Sequence, residues 1–445
     1  MTAPIASIPP EAAQLLVLFA EAQTKGDLTG AQELAEQIVA ALPDHAETLS
    51  FLSCQARLRG DGASACRWAE QGLRHHPQSA QLHFDLGAAL SASGRAGEAS
   101  DELSTALQLQ PGSVPAQLWL ANARAQLGDA AGALALRVRA LGDADRQGYL
   151  RQPERLAADT HQHLLEANVA TQQERARIVT SILQELRSRC GRGELRRIHR
   201  AFERFFSANP EPPPHPLQRP TFLFVPGLPD LPWFKREMFP FLSAIEDQTD
   251  RIRDEMLAVL TEETELRPYV DMPDDAPGAK FMGELNRSLK WSAYHFYRHG
   301  ERIDAHCRRC PVTAAALDAL PLHRVPDHGP EAMFSVLRPG AHITPHTGVI
   351  NGRLTVHLPL LVPPDCGALA VAREARPWQE GQCLVFDDSF VHEAWNKSEH
   401  TRVVLIFDLW NPYLSAIEQE AMAMVIHALG AFNRRYGLLD TTLES

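Results

Sequence analysis

Two stretches of this chain carry side chains that can do chemistry. TPHTGVINGRLTVHLPL (344–360) holds His346 and His357, eleven residues apart. CLVFDDSFVHEAWN (383–396) runs through Asp387, Asp388 and Ser389 to His392. Neutral imidazole nitrogens are good ligands for divalent first-row metals, Fe(II) included. A non-heme iron site usually has Asp or Glu two residues after its first histidine; here that place is Gly348. The residues alone leave three readings: a metal site that has lost its acid, one that never needed it, or a polar loop.

The strand-like run RLTVHLPLL adds a companion. Alternation puts Arg353, Thr355, His357 and Pro359 on one face and Leu354, Val356, Leu358 and Leu360 on the other. Such a strand separates a polar pocket from a packed core. Ten residues beyond His392, Arg402 opens RVVLIFDLWNP. A buried arginine is costly unless it meets an anion. A histidine ending one strand and an arginine beginning the next can set a metal site beside a carboxylate site. That geometry suits a bidentate chelator with a second, distal carboxylate. Asp387 and Asp388 can orient a metal ligand or cap a turn. His342 and His346 are not an i,i+4 helical pair, because Pro345 stands between them. Trp233, Trp291, Trp378 and Trp395 read as core or pocket wall, and Trp395, three after His392, is the pocket candidate.

These residues need a scaffold, and the chain divides into distinct tracts. Gly26, Gly60, Gly94 and Gly128 recur every 34 residues; so do Pro43, Pro77 and Pro111, and Ala31, Ala65, Ala99 and Ala133. That period resembles the tetratricopeptide (TPR) repeat. Glycine ends the first helix of each unit, alanine allows close packing of the second, and proline closes it. About four units fit within residues 1–145, and the concave face of such an array commonly holds a peptide or partner. Residues 146–208 read as a helical extension whose basic cluster RSRCGRGELRRIHR is a solvated helix face. In NPEPPPHPLQRP (209–220) six of twelve residues are proline, so a linker is expected. From 221 to 415 follow the strand TFLFV, a helix, and then MFSVLR, RLTVHLPLLV, GALAVA, QCLVFDD and RVVLIFDLW. That succession predicts a sandwich or barrel. Residues 416–445 read as a C-terminal helix.

Composition bounds the function. The net charge of −12 argues against a general nucleic-acid binder. No apolar run is long enough to span a membrane and the N-terminus does not resemble a signal peptide, so a cytoplasmic location is expected. Seven scattered cysteines include one CxxC, Cys307 and Cys310, and no second pair, which disfavours a zinc site.

RPTFLFVPGLPDLPWF, DRIRDEMLAVL, FSVLRPGAHITPHTG, RLTVHLPL, WQEGQCLVFDDSFVHEAW and RVVLIFDLWNP occur in this order over about 219–412. Together they resemble the aspartyl/asparaginyl β-hydroxylases, Fe(II)- and 2-oxoglutarate-dependent dioxygenases on a double-stranded β-helix of the jelly-roll or cupin kind. A TPR-like region also precedes the catalytic domain in eukaryotic members. The resemblance implies a multidomain α + β chain, an α-solenoid followed by that oxygenase domain. It implies His346 and His392 as iron ligands. Arg402 would hold the distal carboxylate of 2-oxoglutarate, with Ser335 and His357 in the same cosubstrate pocket. Gly348 stands where most related oxygenases carry their acid, and the family lacks that acid too. The expected reaction uses O2, hydroxylates an Asp- or Asn-like residue of a peptide or protein, and releases succinate and CO2. The TPR region would recruit the substrate or a partner. One departure stands out: where family members read RLRMH, this chain reads RLTVH. Thr355 therefore replaces an arginine implicated in holding the substrate carboxylate, and Arg353 is the candidate to compensate. Two alternatives are a TPR scaffold with an inactive oxygenase domain and a halogenase that admits halide at the position opened by Gly348.

Overall fold

The structure is a computed structural model and describes residues 9–191, 193–262, 266–272 and 283–437. The chain forms two compact units, one running to Glu174 and one from Arg175 to Arg434. The first is helical. Its paired helices are α1 (Pro10–Thr24) and α2 (Leu28–Ala41), α3 (Ala46–Leu58) and α4 (Gly62–His75), α5 (Ala80–Ala92) and α6 (Ala96–Leu109), and α7 (Val114–Gln126) and α8 (Ala130–Arg146). The periodic residues explain the repetition. Gly26, Gly60, Gly94 and Gly128 all adopt positive φ, between 71° and 84°, just after the first helix of each pair. That conformation is cheap for glycine and strained for other residues. The four periodic alanines are almost fully buried where the second helix meets its neighbours. Asp27, Asp61 and Asp129 each cap the following helix by accepting from a backbone N–H three residues on. The long helix α9 (Ala158–Arg189) follows; Leu156 just before it and Leu164 and Ala167 in its first turns pack on α7 and α8.

The second unit is built around antiparallel sheets. Its strands are β1 (Trp233–Phe234), β2 (Arg267–Pro268), β3 (Trp291–Arg298), β4 (Glu301–Arg302), β5 (Ala332–Leu337), β6 (His342–His346), β7 (Arg353–Leu361), β8 (Leu369–Val371), β9 (Glu374–Arg376), β10 (Leu384–Phe386), β11 (His392–Trp395) and β12 (Arg402–Trp410). The larger sheet runs β1-β10-β7-β12-β5-β3-β2 with β4 beside β3, and the smaller runs β6-β11-β8-β9. Facing side chains of both sheets share one core: Leu337, Phe386 and Val404 meet Ile343, Leu369, Val371 and Ala394. On the other side of the larger sheet Leu354, Val356, Leu358 and Leu360 join Val403, Leu405 and Phe407 under the helix Thr249–Glu262. The alternation read from β7 is therefore the alternation of the folded strand. Cys307 and Cys310 are buried, unbridged core residues. Helix Ala416–Tyr436 packs its apolar face into a further core with Val349 and Ile350, and 438–445 of the expected C-terminal helix lie outside the described residues.

Two expectations change. The division between units falls within α9, whereas the proline-rich run, expected as a linker, is tied into the second unit at its C-terminal end. The Arg219 and Val391 N–H groups donate to Ser389 and Leu217 carbonyls at 2.8 Å, and Gln218 is almost fully buried. TFLFV forms no strand of either sheet. Flanked by Pro220 and Pro226, it makes one parallel bridge, Leu223 to Ile350, and its Phe222 and Leu223 N–H groups both donate to the Val349 carbonyl. Proline at both ends removes the donors that a longer ladder needs.

Candidate active site

A cleft between the sheets gathers residues distant in sequence. Its wall includes Ser335 from β5, His346 from β6, Arg353, Thr355 and His357 from β7, His392 from β11, and Arg402, Ile406 and Asp408 from β12. Strand register explains the grouping. His392 and His346 are directly paired across the smaller sheet, their rings 4.1 Å apart between centroids. Arg353, Thr355 and His357 alternate onto the inner face of β7, as Arg402, Ile406 and Asp408 do on β12.

Hydrogen bonds sort the three histidines into two kinds. His346 Nδ1 lies 2.8 Å from the Thr344 carbonyl, and His392 Nδ1 lies 2.9 Å from the Phe390 carbonyl. A carbonyl only accepts, so Nδ1 carries the proton in both rings and each Nε2 presents a lone pair. His357 is the reverse. Trp378 Nε1 lies 3.3 Å from His357 Nδ1 and can only donate, which leaves the His357 proton on Nε2. All three rings are held neutral. Burial, then the neighbouring His392, takes His346 down to about 3; burial takes His392 down to about 4; burial and Arg402 push His357 well below its usual value. The paired histidines thus offer two lone pairs to a cation, and His357 offers a donor to an anion.

Arg402 is the anion-binding candidate. It is 1% exposed, with its guanidinium carbon 4.5 Å from the Trp378 ring centroid. Its Nη1 donates to the Ser335 carbonyl at 3.4 Å, and its Nε has no partner. No carboxylate forms an ion pair with it among the described residues. Burial lowers its pKa to about 10, so it stays charged at neutral pH. Ser335 Oγ accepts from Trp291 Nε1 at 3.3 Å, which fixes the hydroxyl beside this end of the cleft.

Arg353 sits differently. Its Nη2 donates to Asp388 Oδ2, and its Nη1 stands 3.6 Å from Asp408 Oδ2. Burial opposes its charge, but the two carboxylates hold its pKa above the ordinary value. Gly348 gives Asp388 its place: a Cβ at Gly348 would collide with the Asp388 carboxyl group. The two acids before His392 differ in what they touch, and it is backbone carbonyls that orient the two histidine rings. Asp387 caps the turn, accepting from the Ser389 N–H at 2.9 Å and from Gln218 Nε2 at 3.1 Å. Asp388 lies against Gly348 and pairs with Arg353.

Trp395 is not in the cleft wall. His392 and Ala394 face inward, and Trp395 as the next residue turns outward to lie near His342, 6.2 Å between centroids. Trp291 and Phe386 line the cleft in its place. Gln218 was missed by sequence reasoning. Its Nε2 also reaches Ser389 Oγ at 3.1 Å, which braces the turn leading to His392. It stands between prolines, and no signal of type or spacing marks it.

The two histidines, with their Nδ1 positions fixed by the backbone, fit a divalent metal. Among the described residues no group of three or more His, Cys, Asp or Glu is placed to hold a metal ion. No helix of the described residues is long and apolar enough to cross a membrane.

Residues 246–412 match the family described as Aspartyl/Asparaginyl beta-hydroxylase. Human aspartyl/asparaginyl beta-hydroxylase is 30% identical over 204 residues, 45% of this chain and 25% of its own length. The ornithine lipid ester-linked acyl 2-hydroxylase of Rhizobium tropici is 34% identical over 186 residues, 41% of this chain and 62% of its own length. Mouse aspartate beta-hydroxylase domain-containing protein 2 is 32% identical over 249 residues, 55% of this chain and 68% of its own length. The match thus spans a quarter of the human protein and under two thirds of the bacterial one. Among solved structures, a thermophilic TPR protein of Thermus thermophilus has a TM-score of 0.30 at 19% identity, covering 39% of this chain and 91% of its own.

Proposed function

Because the chain belongs to the aspartyl/asparaginyl β-hydroxylase family, we propose that its second unit is an Fe(II)- and 2-oxoglutarate-dependent dioxygenase on a double-stranded β-helix, hydroxylating an Asp- or Asn-like residue of a peptide or protein. The observation that carries the reading is one cleft holding two opposite kinds of unsatisfied group. Nε2 lone pairs of His346 and His392 are set on one sheet, and the unpaired Arg402 guanidinium is set on the other. A ligand that chelates a metal at one end and carries a carboxylate at the other answers both. 2-Oxoglutarate has that form.

In this reading His346 and His392 hold Fe(II), and Arg402 holds the distal carboxylate of the cosubstrate. Iron, O2 and 2-oxoglutarate together supply the oxidant for an unactivated C–H bond, with succinate and CO2 released. The chain supplies placement. The Thr344 and Phe390 carbonyls fix the two imidazole planes. His357 keeps its proton on Nε2 and can donate it to a bound carboxylate. Trp378 stacks on Arg402 and excludes water from it. Asp388, lying where Gly348 leaves room, puts negative charge near the pair of ligands without adding a third. The TPR-like unit recruits the substrate or a partner protein.

The test is an anaerobic titration of the whole chain with Fe(II) and 2-oxoglutarate. A charge-transfer band in the visible, lost in His392→Ala, is expected. Absence of the band in a folded wild-type protein sinks the enzyme reading and leaves a scaffold. A band that depends on chloride points to halogenation.

One observation favours a second reading. The chain is 34% identical to an ornithine lipid ester-linked acyl 2-hydroxylase, and Thr355 gives the cleft no cation for a side-chain carboxylate. Hydroxylation of an acyl chain next to its carbonyl would use the same iron and cosubstrate site. Oxygen gained by an ester-linked acyl lipid and not by peptides would decide for it.

A further inference from the structure

The register of β6 and β11 sets the His346 and His392 rings side by side. Each ring is aimed by a carbonyl in the adjoining chain, that of Thr344 for one and of Phe390 for the other. Phe390 lies in the turn between β10 and β11, so neither strand sets its direction. A segment of the proline-rich run does. The Arg219 N–H donates to the Ser389 carbonyl and the Val391 N–H to the Leu217 carbonyl, both at 2.8 Å, and Gln218 stands opposite Phe390 as an antiparallel bridge. Residues in such a pairing alternate. When the groups of 389 and 391 face the partner segment, those of 390 face away from it. The Phe390 carbonyl is therefore turned from the segment and towards the His392 ring, where Nδ1 meets it at 2.9 Å.

Side chains lock this pairing. Gln218 is almost fully buried, and its Nε2 donates to Asp387 Oδ2 and Ser389 Oγ, each at 3.1 Å. Asp387 in turn accepts from the Ser389 N–H at 2.9 Å. Buried acceptors left without a donor are costly, so the amide and the turn hold each other. The same segment then crosses to the loop after His346. The Thr221 N–H donates to the Gly348 carbonyl at 3.1 Å, and the Phe222 and Leu223 N–H groups both donate to the Val349 carbonyl at 3.0 Å. Asn351 fixes the far end: its side chain accepts from the Val225 N–H at 2.7 Å and donates to the Val225 carbonyl at 3.0 Å. Residues 217–225 thus tie the loop before His392 to the loop after His346. Those two loops also meet directly, the Gly348 N–H donating to the Asp388 carbonyl at 2.6 Å. The whole segment lies outside the residues that match the family, 246–412.

We propose that residues 217–225 are a strap across both histidine-bearing loops, with Gln218 as its positioning residue. Gln218 aims the His392 ring through Asp387, Ser389 and the Phe390 carbonyl, and so sets how tightly the histidine pair takes a divalent cation. The inference rests on the hydroxylase reading only in taking that pair as the metal site. The hydrogen bonds of Gln218 reach the turn and not the ring, so its effect on the metal is indirect.

The test uses the whole chain. Co(II) binding is measured by isothermal titration and by the visible spectrum of the bound ion. The histidine ring-nitrogen NMR signals are recorded separately, without metal. Gln218→Met keeps the length of the side chain and removes its amide. It should weaken Co(II) binding by about 10-fold, as the loss of a group that orients a metal ligand does. It should also change the visible spectrum and shift the His392 ring signals of the metal-free protein. Ser389→Ala should act in the same direction, and adding it to Gln218→Met should change little more, because both act through one turn. Glu255→Gln is the control for stability alone. Glu255 accepts from the Val312 and Thr313 N–H groups at the start of the helix Pro311–Asp318, so this variant should lower the melting temperature and leave Co(II) binding and the ring signals unchanged. A folded Gln218→Met with the Co(II) affinity or the ring signals of wild type overturns the proposal. So does an equal loss of affinity in Glu255→Gln, which would make the effect one of stability. If Gln218→Met does not fold, Ser389→Ala decides on the same two readouts. If wild type takes up no Co(II) while the ring signals still shift in Gln218→Met, the metal reading fails and the positioning of His392 stands.

Discussion

Replacing Arg402 by Met should make the ligand-free protein more stable and the 2-oxoglutarate complex less so. Arg402 is buried, no carboxylate pairs with it among the described residues, and its Nε has no partner. Burial brings its pKa to about 10, against about 12.5 or more for a free guanidinium. At about 1.4 kcal/mol per pH unit, the charge costs the fold roughly 3 kcal/mol. The sign follows from the direction. A cation whose pKa is depressed by folding costs stability fully below about 10, and the cost fades only as pH rises above that value. At pH 7.5 the whole cost is present. Contact with the Trp378 ring at 4.5 Å returns part of it, about 1 to 2 kcal/mol for a desolvated cation–π pair. The net expectation for Arg402→Met is a gain of about 1–2 kcal/mol in the absence of ligand, or about 2–8 °C in the midpoint for a unit of this size. The opposite holds with 2-oxoglutarate and redox-inert Mn(II) present. At a hundred times its Kd the ligand should add about 2.7 kcal/mol to wild type and almost nothing to the variant. Thermal melts with and without ligand therefore cross. A variant that is less stable than wild type without ligand, yet keeps the full ligand-induced shift, refutes the view that Arg402 waits for an anion.

Two further outcomes follow from other parts of the fold. Gly348→Asp, which installs the acid that most related oxygenases carry, should weaken Mn(II) binding by about 10-fold or more, because its Cβ collides with the Asp388 carboxyl. Adding Asp388→Ala should restore much of the loss in isothermal titration, whereas equal binding by the single variant and wild type would show that the close approach is unimportant. In the helical unit, Asp85 is 1% exposed and burial raises its pKa to about 7. A raised acid costs stability as pH climbs from its unfolded value towards and past 7, so Asp85→Asn should stabilise that unit by up to roughly 4 kcal/mol at pH 8.5 and by little at pH 4. Urea melts at both pH values decide it.

The sequence made legible whatever depends on short-range period. The 34-residue step of Gly26, Gly60, Gly94 and Gly128 fixes helix ends one by one, and each glycine does take positive φ. The two-residue step of Arg353, Thr355 and His357 fixes which face of β7 lines the cleft, and Leu354, Val356 and Leu358 do pack behind it. Period also explains a miss. Trp395 stands three residues after His392, an odd step that turns it out of the cleft occupied by Ala394. Long-range pairing is another matter. Nothing near Arg353 in sequence announces Asp408, which the β7–β12 register sets opposite Thr355, or Asp388, which reaches it through the space left by Gly348. Nothing in a proline-rich run announces that Gln218 braces the turn of Asp387 and Ser389. These contacts join residues that neither alternation nor repeat relates, and they set the charge of the cleft. Composition counts Arg353 as an available cation; the fold makes it half of an ion pair. In the proposed reading, the metal site rests on local strand geometry around His346 and His392, whereas the choice of substrate would rest on contacts made only when distant segments meet. Two chains could share every motif of the first kind and differ entirely in the second.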